Sequence, residues 1–250
     1  MSRTKNQNVS LSHDSVIKFF EQRAATFNPT HPLVTTMYQD KNPELAERRD
    51  AMERARITPL LALTGKETVL DVGCGIGRWL SALHDQISLG VGIDASEGLV
   101  NIARHMCPFE NVTFINAGID DLEDIFPGNE IQFDRILLMG IIMYLNDDQL
   151  ALLFAILSRI LAPGGILCLR EPVGVQGRLS LKDHWSEDLQ SYYSAIYRTP
   201  EEIQDILTQF FPNEHYRISG FSPLFVDPDV NRWAETQQQF CLVRHQGASA

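Results

Sequence analysis

The spacing of hydrophobic residues changes along the chain after Gly65. Before this point, two stretches carry apolar residues at helical intervals, at about 14–27 and about 43–63. We interpret the two helices as an N-terminal cap formed by residues 1–63. Residues 1–12 are polar, and we expect them to be loosely held.

After Gly65, short β-rich runs alternate with helical stretches. The predicted strands are 68–72, 89–93, 112–115, 133–138 and 166–169, and the predicted helices are 78–86, 97–105, 147–161 and 200–211. This alternation predicts a parallel sheet with helices on both faces. Two late runs, at 216–225 and 238–244, predict an antiparallel pair. Residues 64–250 are therefore expected to form a doubly wound α/β sheet, mostly parallel with a late antiparallel strand.

An aromatic segment at about 172–199 separates the last parallel strand from the last helix. Loops of this length within a compact domain are usually functional. We interpret the segment as a lid inserted into residues 64–250.

Composition narrows the classes of partner. The 21 basic and 32 acidic side chains give a net charge of −11, and no basic cluster reverses that sign locally. An acidic surface repels phosphate backbones, so no nucleic acid partner is expected.

No apolar stretch reaches the roughly 18–20 residues of a membrane span, so no membrane association is expected. The four cysteines form no CxxC pair, which predicts a reduced, cytoplasmic protein without structural zinc. The oligomeric state is not predicted.

The strongest motif is V-L-D-V-G-C-G-I-G-R-W at 69–79. Gly73, Gly75 and Gly77 follow a strand and precede a helix. Glycines let the backbone turn tightly and approach a ligand closely. The N-terminus of the helix then offers N–H donors to a carboxylate or a hydroxyl.

The spacing of this motif distinguishes two classes of cofactor. A dinucleotide fingerprint, G-x-G-x-x-G, would need glycine where Arg78 stands. Asp71 lies two residues before the first glycine. Its negative charge would repel a pyrophosphate but could pair with the ammonium of an amino acid moiety.

Asp94 ends the second strand, 17 residues after Gly77. At this position a carboxylate can accept the hydroxyls of a ribose. The alternative role is a helix cap, for which Ser96 competes.

Four motifs, in order, resemble the Rossmann-like (class I) family of S-adenosylmethionine-dependent methyltransferases. They are D-V-G-C-G-I-G, G-I-D-A-S, F-D-R-I-L-L-M-G and L-A-P-G-G-I-L, within about residues 60–171. The resemblance implies a Rossmann-like methyltransferase sheet with S-adenosylmethionine as cofactor. It also implies Asp71, Gly73, Gly75 and Gly77 at the methionine end, Asp94 at the ribose, Ala95 beside the adenine and Met139 near the sulfonium.

One position departs from the family pattern. After the third strand, the family commonly has Gly-Asp, whose acid meets the adenine amino group. Here Gly118 and Ile119 match those positions, and Asp120 and Asp121 follow. Either one of these acids moves into place, or backbone groups of Gly118 and Ile119 take over the contact.

The acceptor side is less defined. Methyl transfer requires the acceptor to be aligned with the methyl group and, for some acceptors, a general base. Three candidates for catalysis are Tyr144 after strand four, Glu171 after strand five and His184 in the predicted lid. The respective alternatives are a packed tyrosine, a surface ion pair with Arg170 and an exposed histidine without a function.

Other residues also have structural alternatives. Tyr192, Tyr193 and Tyr197 could border the acceptor or only pack the lid. Tyr38, Arg48 and Arg49 could contact the methionine carboxylate, although solvated helix charges are the simpler interpretation of the arginines. No cluster of carboxylates typical of a metal-dependent methyltransferase stands out, so no metal is expected.

The sequence thus predicts a methyltransferase that moves a methyl group from S-adenosylmethionine to N or O of a small-molecule acceptor, such as a secondary metabolite or a sugar. One alternative is a cofactor-binding regulatory or partner subunit without turnover. Another is a nicotinamide oxidoreductase, which Arg78 and Asp71 disfavour.

Overall fold

The computed structural model describes residues 2–5, 9–227, 230 and 233–247. The strands within them are Ser2–Lys5 (β1), Thr68–Val72 (β2), Leu89–Asp94 (β3), Val112–Asn116 (β4), Phe133–Met139 (β5), Leu161–Gly174 (β6), Leu179–Ser186 (β7), Ser191–Tyr197 (β8), Tyr216–Ile218 (β9), Ser222–Pro223 (β10) and Thr236–His245 (β11).

The α-helices within the same residues are His13–Ala25 (α1), Val34–Met37 (α2), Pro43–Ile57 (α3), Arg78–Leu83 (α4), Glu97–Met106 (α5), Leu122–Ile125 (α6), Asp147–Ile160 (α7) and Pro200–Phe210 (α8). Short 3-10 helices lie at Thr58–Leu61, His84–Gln86, Ile119–Asp121 and Ile142–Tyr144.

The central sheet has the strand order β10-β11-β6-β5-β2-β3-β4, and β9 also pairs with β11. Strands β2 to β6 are parallel to their neighbours, whereas β11 is antiparallel to β6. The predicted α/β sheet with a late antiparallel strand is confirmed. The carboxyl ends of the parallel strands meet at one edge, where open α/β sheets bind their ligands.

Helices cover both faces of this sheet. Leu153 and Leu157 of α7 pack on one face, and Trp79 and Leu80 of α4 pack on the other. Because both faces are covered, the central strands are continuous apolar runs: residues 136–138 of β5 are fully buried. Each such side chain contributes about 1.5–3 kcal/mol by leaving water.

Two predicted helix ends differ from the structure. The helix expected to reach residue 63 ends at Ile57 and continues as the 3-10 helix Thr58–Leu61, because Pro59 has no N–H for an α-helical hydrogen bond. Helix α7 ends at Ile160, and Leu161 already pairs with Phe133 as the first residue of β6.

A second, three-stranded sheet has the order β1-β7-β8 and is antiparallel throughout. The expectation that the N-terminus is loosely held is wrong for Ser2–Lys5, which pair with β7. The segment 172–199 is also more regular than a loop, because β6 continues to Gly174 and a β-hairpin follows. We call β7 and β8 with their connecting turn the hairpin. In the described part of the chain, no helix is both long and apolar enough to cross a membrane.

Candidate active site

A cavity of about 530 Å³ opens at the carboxyl edge of the central sheet. This volume is within the range of about 300–1,000 Å³ that is usual for small-molecule sites. Its walls come from the loops after β2, β3, β4 and β5, from α1 and α2, from the hairpin and from the segment before β11. The cavity therefore lies between the sheet and three covering segments: α1 with α2, the hairpin, and the segment before β11.

The glycine turn after β2 forms the floor of the cavity. Gly73 and Gly75 have φ angles of +73° and +55°, where other residues are strained. A Cβ on Gly73 would lie 2.6 Å from Cδ1 of Ile141, and one on Gly75 would lie 2.9 Å from Cγ2 of Thr36. The turn is thus close to its neighbours as well as open to the cavity.

Gly77 belongs to the same turn but has a different position. It precedes α4 as its N-cap and is buried against Phe114 instead of lining the cavity. Of the three predicted glycines, Gly73 and Gly75 are the two on the cavity wall.

Asp71 lies at the end of β2 and is only 1% exposed. It lines the cavity, and neither of its carboxylate oxygens has a hydrogen-bond partner. Burial raises its pKa to about 7, although the charge of Arg78 acts in the opposite direction. Arg78 itself is paired with Asp50 and Glu53 at 2.8 Å each. Asp71 is therefore an unneutralised acid that faces the place where a ligand cation could bind.

Asp94 is held by the backbone of two loops. Its Oδ2 accepts the N–H of Gly75 at 2.8 Å, and its Oδ1 accepts the N–H of Ser96 at 2.9 Å. Each carboxylate oxygen keeps a further lone pair for a ligand hydroxyl. Burial raises the pKa of Asp94 above its usual range. Ser96 caps α5 through Leu99 N–H, so Asp94 is not needed as the cap, and Ala95 beside it also lines the cavity.

The loop after β4 contributes Gly118 and Ile119 to the cavity wall. Asp121 accepts the N–H of Gly118 at 2.7 Å, and Asp120 is exposed and outside the cavity. Of the two alternatives at this position, the geometry favours the one in which backbone groups of Gly118 and Ile119 meet the ligand.

The loop after β5 is organised by Glu171. One carboxylate oxygen of Glu171 accepts three consecutive N–H groups, from Gly140, Ile141 and Ile142, at 2.8–3.1 Å. Glu171 is 1% exposed and lies outside the cavity wall, and its other oxygen has no hydrogen-bond partner. Burial raises its pKa to about 7. Met139 precedes this loop and lines the cavity.

Four tyrosines from three distant segments meet above this loop. Tyr38 Oη lies 2.5 Å from Tyr144 Oη, and Tyr193 Oη lies 2.8 Å from Tyr197 Oη. Phe20 of α1 packs edge-to-face against Tyr144. Burial raises the pKa of Tyr38, Tyr144 and Tyr193, so these phenols stay protonated at neutral pH.

His184 reaches the cavity because β7 contains a bulge. Leu181 pairs with Ala195, but His184 pairs with Tyr193, so β7 has one extra residue between the two pairs. Asp183 in the bulge has a φ of +48°. The extra residue shifts the alternation of side chains, which puts His184 on the same face as Leu181 and Tyr193. All three line the cavity.

Buried arginines hold the covering segments in place. Arg198, at the end of β8, donates to Asp147 and to the carbonyl oxygens of Ile142 and Leu145. This joins the base of the hairpin to the turn that carries Tyr144. In the same way, Arg23 of α1 donates to the carbonyl oxygens of Val34 and Thr35.

Glu21 attaches α1 to the central domain. Its Oε1 accepts the hydroxyl of Ser96 at 2.7 Å and the N–H of Gly98 at 3.1 Å. Sequence reasoning missed this contact, because a glutamate on a predicted helix has the pattern of a solvated residue. Sequence reasoning also missed the contact between Tyr38 and Tyr144, since these two residues are more than one hundred positions apart in the chain.

The structure separates the predicted arginines of the cap. Arg48 pairs with Asp227 at 2.6 Å outside the cavity, whereas Arg49 lines the cavity and donates to the carbonyl oxygen of Val230. Within the described ranges, no group of three or more His, Cys, Asp or Glu side chains is arranged to hold a metal ion.

Comparison with known proteins gives a consistent picture. Residues 69–165 match the family described as "Methyltransferase domain". The demethylmenaquinone methyltransferase of Tropheryma whipplei (strain Twist) is 32% identical over 139 residues, which cover 55% of this chain and 55% of that protein. The chain spans about a quarter to about half of the length of the first curated relatives that it matches.

Solved structures share the fold over almost the whole chain. A complex of DhpI with SAH superposes with a TM-score of 0.63 at 17% identity and covers 94% of this chain and 97% of that one. Haemonchus contortus phosphoethanolamine N-methyltransferase 1, in complex with phosphoethanolamine and S-adenosylhomocysteine, has a TM-score of 0.70 at 17% identity. That match covers 95% of this chain and 49% of the other.

Proposed function

We propose that this chain, whose residues 69–165 form a Rossmann-like (class I) methyltransferase domain, transfers a methyl group from S-adenosylmethionine to N or O of a small-molecule acceptor. The observation that carries the proposal is the unpartnered carboxylate of Asp71 in the cavity, next to the glycine turn. A buried acid without a partner is costly unless a ligand supplies one.

The residues present fit the cofactor. Its ammonium group would pair with Asp71, and the backbone at Gly73 and Gly75 would lie against its methionine moiety. Asp94 has lone pairs left for two ribose hydroxyls. Ala95, Gly118 and Ile119 line the part of the cavity that would receive the adenine, and Met139, at the end of β5, also lines the cavity. Gly77 would act indirectly, by forming the turn, and Asp120 would remain outside the site.

The cofactor supplies a methyl group on a positively charged sulfur, which makes the methyl carbon an electrophile. The chain has to align the acceptor with that carbon and to exclude water. Alignment of two reactants can contribute about 7–11 kcal/mol at best. We propose that residues 1–63 and the lid at 172–199 serve this purpose as covers, since both contribute to the cavity wall.

The three predicted catalytic residues receive different roles in this proposal. His184 is the general base, because it lines the cavity and imidazole is the side chain that most often takes this role. Tyr144 orients the acceptor as a neutral phenol, since burial raises its pKa. Glu171 acts as a positioning residue, because it holds the backbone of residues 140–142 from below the cavity.

Calorimetric titration with S-adenosylmethionine and S-adenosylhomocysteine tests the cofactor. We expect micromolar binding of both, followed by transfer of labelled methyl groups when small-molecule acceptors are screened. Absence of binding would contradict the proposal. Binding of both without turnover would favour a regulatory or partner subunit, and tighter binding of a nicotinamide cofactor would favour an oxidoreductase.

Two variants make this titration specific for the site. Asp94→Ala should weaken binding by about 1–3 kcal/mol, the cost of leaving buried ligand hydroxyls without their acceptor. Asp120→Ala is the matched control, because Asp120 is exposed and outside the cavity. Equal affinities of the two variants, with both folded, would show that the cofactor does not bind at Asp94.

A further inference from the structure

We propose that the methyl acceptor is an amine, carried as an ammonium ion in solution, on an apolar body, and that the cavity discriminates against phosphorylated and carboxylated acceptors. This inference rests on the proposed function and names its substrate class. Four features of the cavity wall support it: the aromatic rings, the tyrosine hydroxyls, the engagement of the arginines and the excess of carboxylates.

The walls of the acceptor side are aromatic rings set at steep angles to one another. Tyr38 and Tyr193 have ring centroids 6.1 Å apart at 69°, and Tyr144 and Tyr193 have centroids 6.2 Å apart at 84°. Phe20 meets Tyr144 at 86°. All four rings line the cavity. Aromatic rings that line a cavity can bind an ammonium group, because the negative faces of the rings attract a cation.

The tyrosine hydroxyls contact one another. Tyr38 Oη lies 2.5 Å from Tyr144 Oη, and Tyr193 Oη lies 2.8 Å from Tyr197 Oη. A phenol oxygen can accept hydrogen bonds as well as donate one. An ammonium or amine group can donate to such an oxygen, whereas an ionised phosphate or carboxylate can only accept.

The arginines of the cavity wall are already engaged. Arg78 is paired with Asp50 and Glu53, and Arg170 is paired with Glu53 at 2.9 Å. Arg49 donates to the carbonyl oxygen of Val230. Among the residues that the structure describes, the wall contains no lysine. An anionic acceptor would thus have to displace an existing partner of an arginine.

Carboxylates outnumber cationic side chains on the same wall. It contains three arginines and six acids: Glu53, which pairs with two of the arginines, Asp71 and Asp94, which are proposed to bind the cofactor, and Glu187, Asp188 and Glu235. The whole chain carries a net charge of −11, which has the same sign. Both the wall and the protein surface therefore attract a positively charged acceptor and repel an anionic one.

The reaction balances with the groups at hand. The bound ammonium loses one proton to the imidazole of His184, which later releases it to solvent. The nitrogen lone pair then forms the new N–C bond as the C–S bond breaks, and the electrons of the broken bond remain on sulfur as a thioether. The neutral phenols of Tyr38, Tyr144 and Tyr193 keep their protons and orient the nitrogen. An amine suits this arrangement better than an alcohol, whose oxygen stays a weak nucleophile unless a base removes its proton in the transition state.

Three probes of matched size test the discrimination: 2-phenylethylamine, 2-phenylethanol and 3-phenylpropanoate. Each is titrated calorimetrically into the protein saturated with S-adenosylhomocysteine. We expect the amine to bind at least tenfold more tightly than the alcohol and the carboxylate to show no binding. Equal or tighter binding of the carboxylate overturns the inference, and so does absence of amine binding while S-adenosylhomocysteine binds. If S-adenosylhomocysteine itself does not bind, the proposed function has failed first.

Variants of the adjacent residues Tyr192 and Tyr193 test whether the amine binds at the aromatic wall. Tyr193→Leu removes a ring of the wall and should weaken amine binding at least fivefold, whereas Tyr193→Phe keeps the ring and should retain most of it. Tyr192→Leu is the control, because Tyr192 is 57% exposed and lies outside the cavity wall. S-adenosylhomocysteine affinity should be the same in all three. Equal amine affinity of Tyr193→Leu and Tyr192→Leu would show that the aromatic wall is not the binding site.

Discussion

The two halves of the cavity are formed by different parts of the chain. In the half proposed for the cofactor, the contacts come from residues at the ends of neighbouring strands and from the short loops that follow them, as in Asp71, Asp94 and the turn at Gly73 and Gly75. In the half proposed for the acceptor, they come from side chains of distant segments, as in the pair of Tyr38 and Tyr144. Because strand register fixes the first half, substitutions there should change cofactor affinity. Substitutions in the second half should change turnover and acceptor affinity instead.

The largest effect is expected for His184→Ala. If His184 is the general base, kcat should fall by about 100- to 10,000-fold, while S-adenosylhomocysteine affinity stays unchanged. The measurement is kcat for the best acceptor found. His105→Ala is the control, because His105 is exposed and outside the cavity. A kcat close to that of the unmodified protein would assign the base elsewhere.

Asp71→Asn should have the next largest effect, on cofactor affinity. Loss of the charge that pairs with the ligand ammonium should weaken S-adenosylhomocysteine binding by about 100-fold, in line with roughly 2–5 kcal/mol for a buried charge pair. Since burial raises the pKa of Asp71 to about 7, affinity of the unmodified protein should rise as pH increases through 7. The variant should show a much smaller pH dependence. Calorimetry at pH 6 and pH 8 would measure both effects, and parallel pH profiles would contradict this role.

The raised pKa of Asp71 also predicts how the stability of the protein without ligand changes with pH. The pKa of Asp71 is raised from its ordinary value of 3.8 to about 7 in the folded protein. Between these values the folded state binds more protons than the unfolded state, so the contribution of Asp71 to stability falls as pH rises through this window. Asp71→Asn should remove that penalty and leave the protein without ligand at least as stable at pH 8, as thermal unfolding would show.

Gly73→Ala tests the backbone turn in the half of the cavity proposed for the cofactor. The new Cβ would meet Ile141 at 2.6 Å, and the φ of +73° would add about 1–2 kcal/mol of strain. We expect S-adenosylhomocysteine affinity to fall by about tenfold. Gly65→Ala is a matched control, because Gly65 has a φ of +90° but nothing within 4 Å of a Cβ. Similar losses of affinity in both variants would show that backbone strain alone, and not the crowded turn, causes the effect.

The smallest effect is expected for Tyr38→Phe. The substitution removes one hydroxyl from the pair with Tyr144 and keeps the ring. Loss of one hydrogen bond of about 0.5–1.5 kcal/mol should raise the KM for the acceptor by about three- to tenfold. Cofactor affinity should not change. A change in cofactor affinity alone would show that Tyr38 contacts the cofactor and not the acceptor.

Much of the fold and of the cofactor half could be predicted from the sequence. The strand runs, the glycine turn and Asp94 lie close together in the chain, and local spacing determines how they fold. The resemblance to methyltransferases, which rested on these motifs, is confirmed. The assignment of individual site residues stays a prediction.

The acceptor half could not be predicted in the same way. The bulge at Asp183, which brings His184 to the cavity, depends on how β7 pairs with β8, and no local pattern indicates it. The sequence predicts Glu171 at the mouth of the sheet, as a candidate for catalysis or, alternatively, as a surface ion-pair partner of Arg170. It lies below the mouth, because three backbone N–H groups offer its carboxylate a better site than solvent.

Ion pairs from α3 to α4 and β6 limit how the chain can be divided. Its Glu53 is shared by Arg78 and Arg170, and its Asp50 also binds Arg78. A protein shortened to begin at residue 64 would keep both guanidinium groups and lose both carboxylates. Uncompensated buried charges are strongly destabilising. We therefore expect that removal of the first 63 residues destabilises the remaining chain, and that transplanting them onto another sheet of this type requires two arginines at the matching positions.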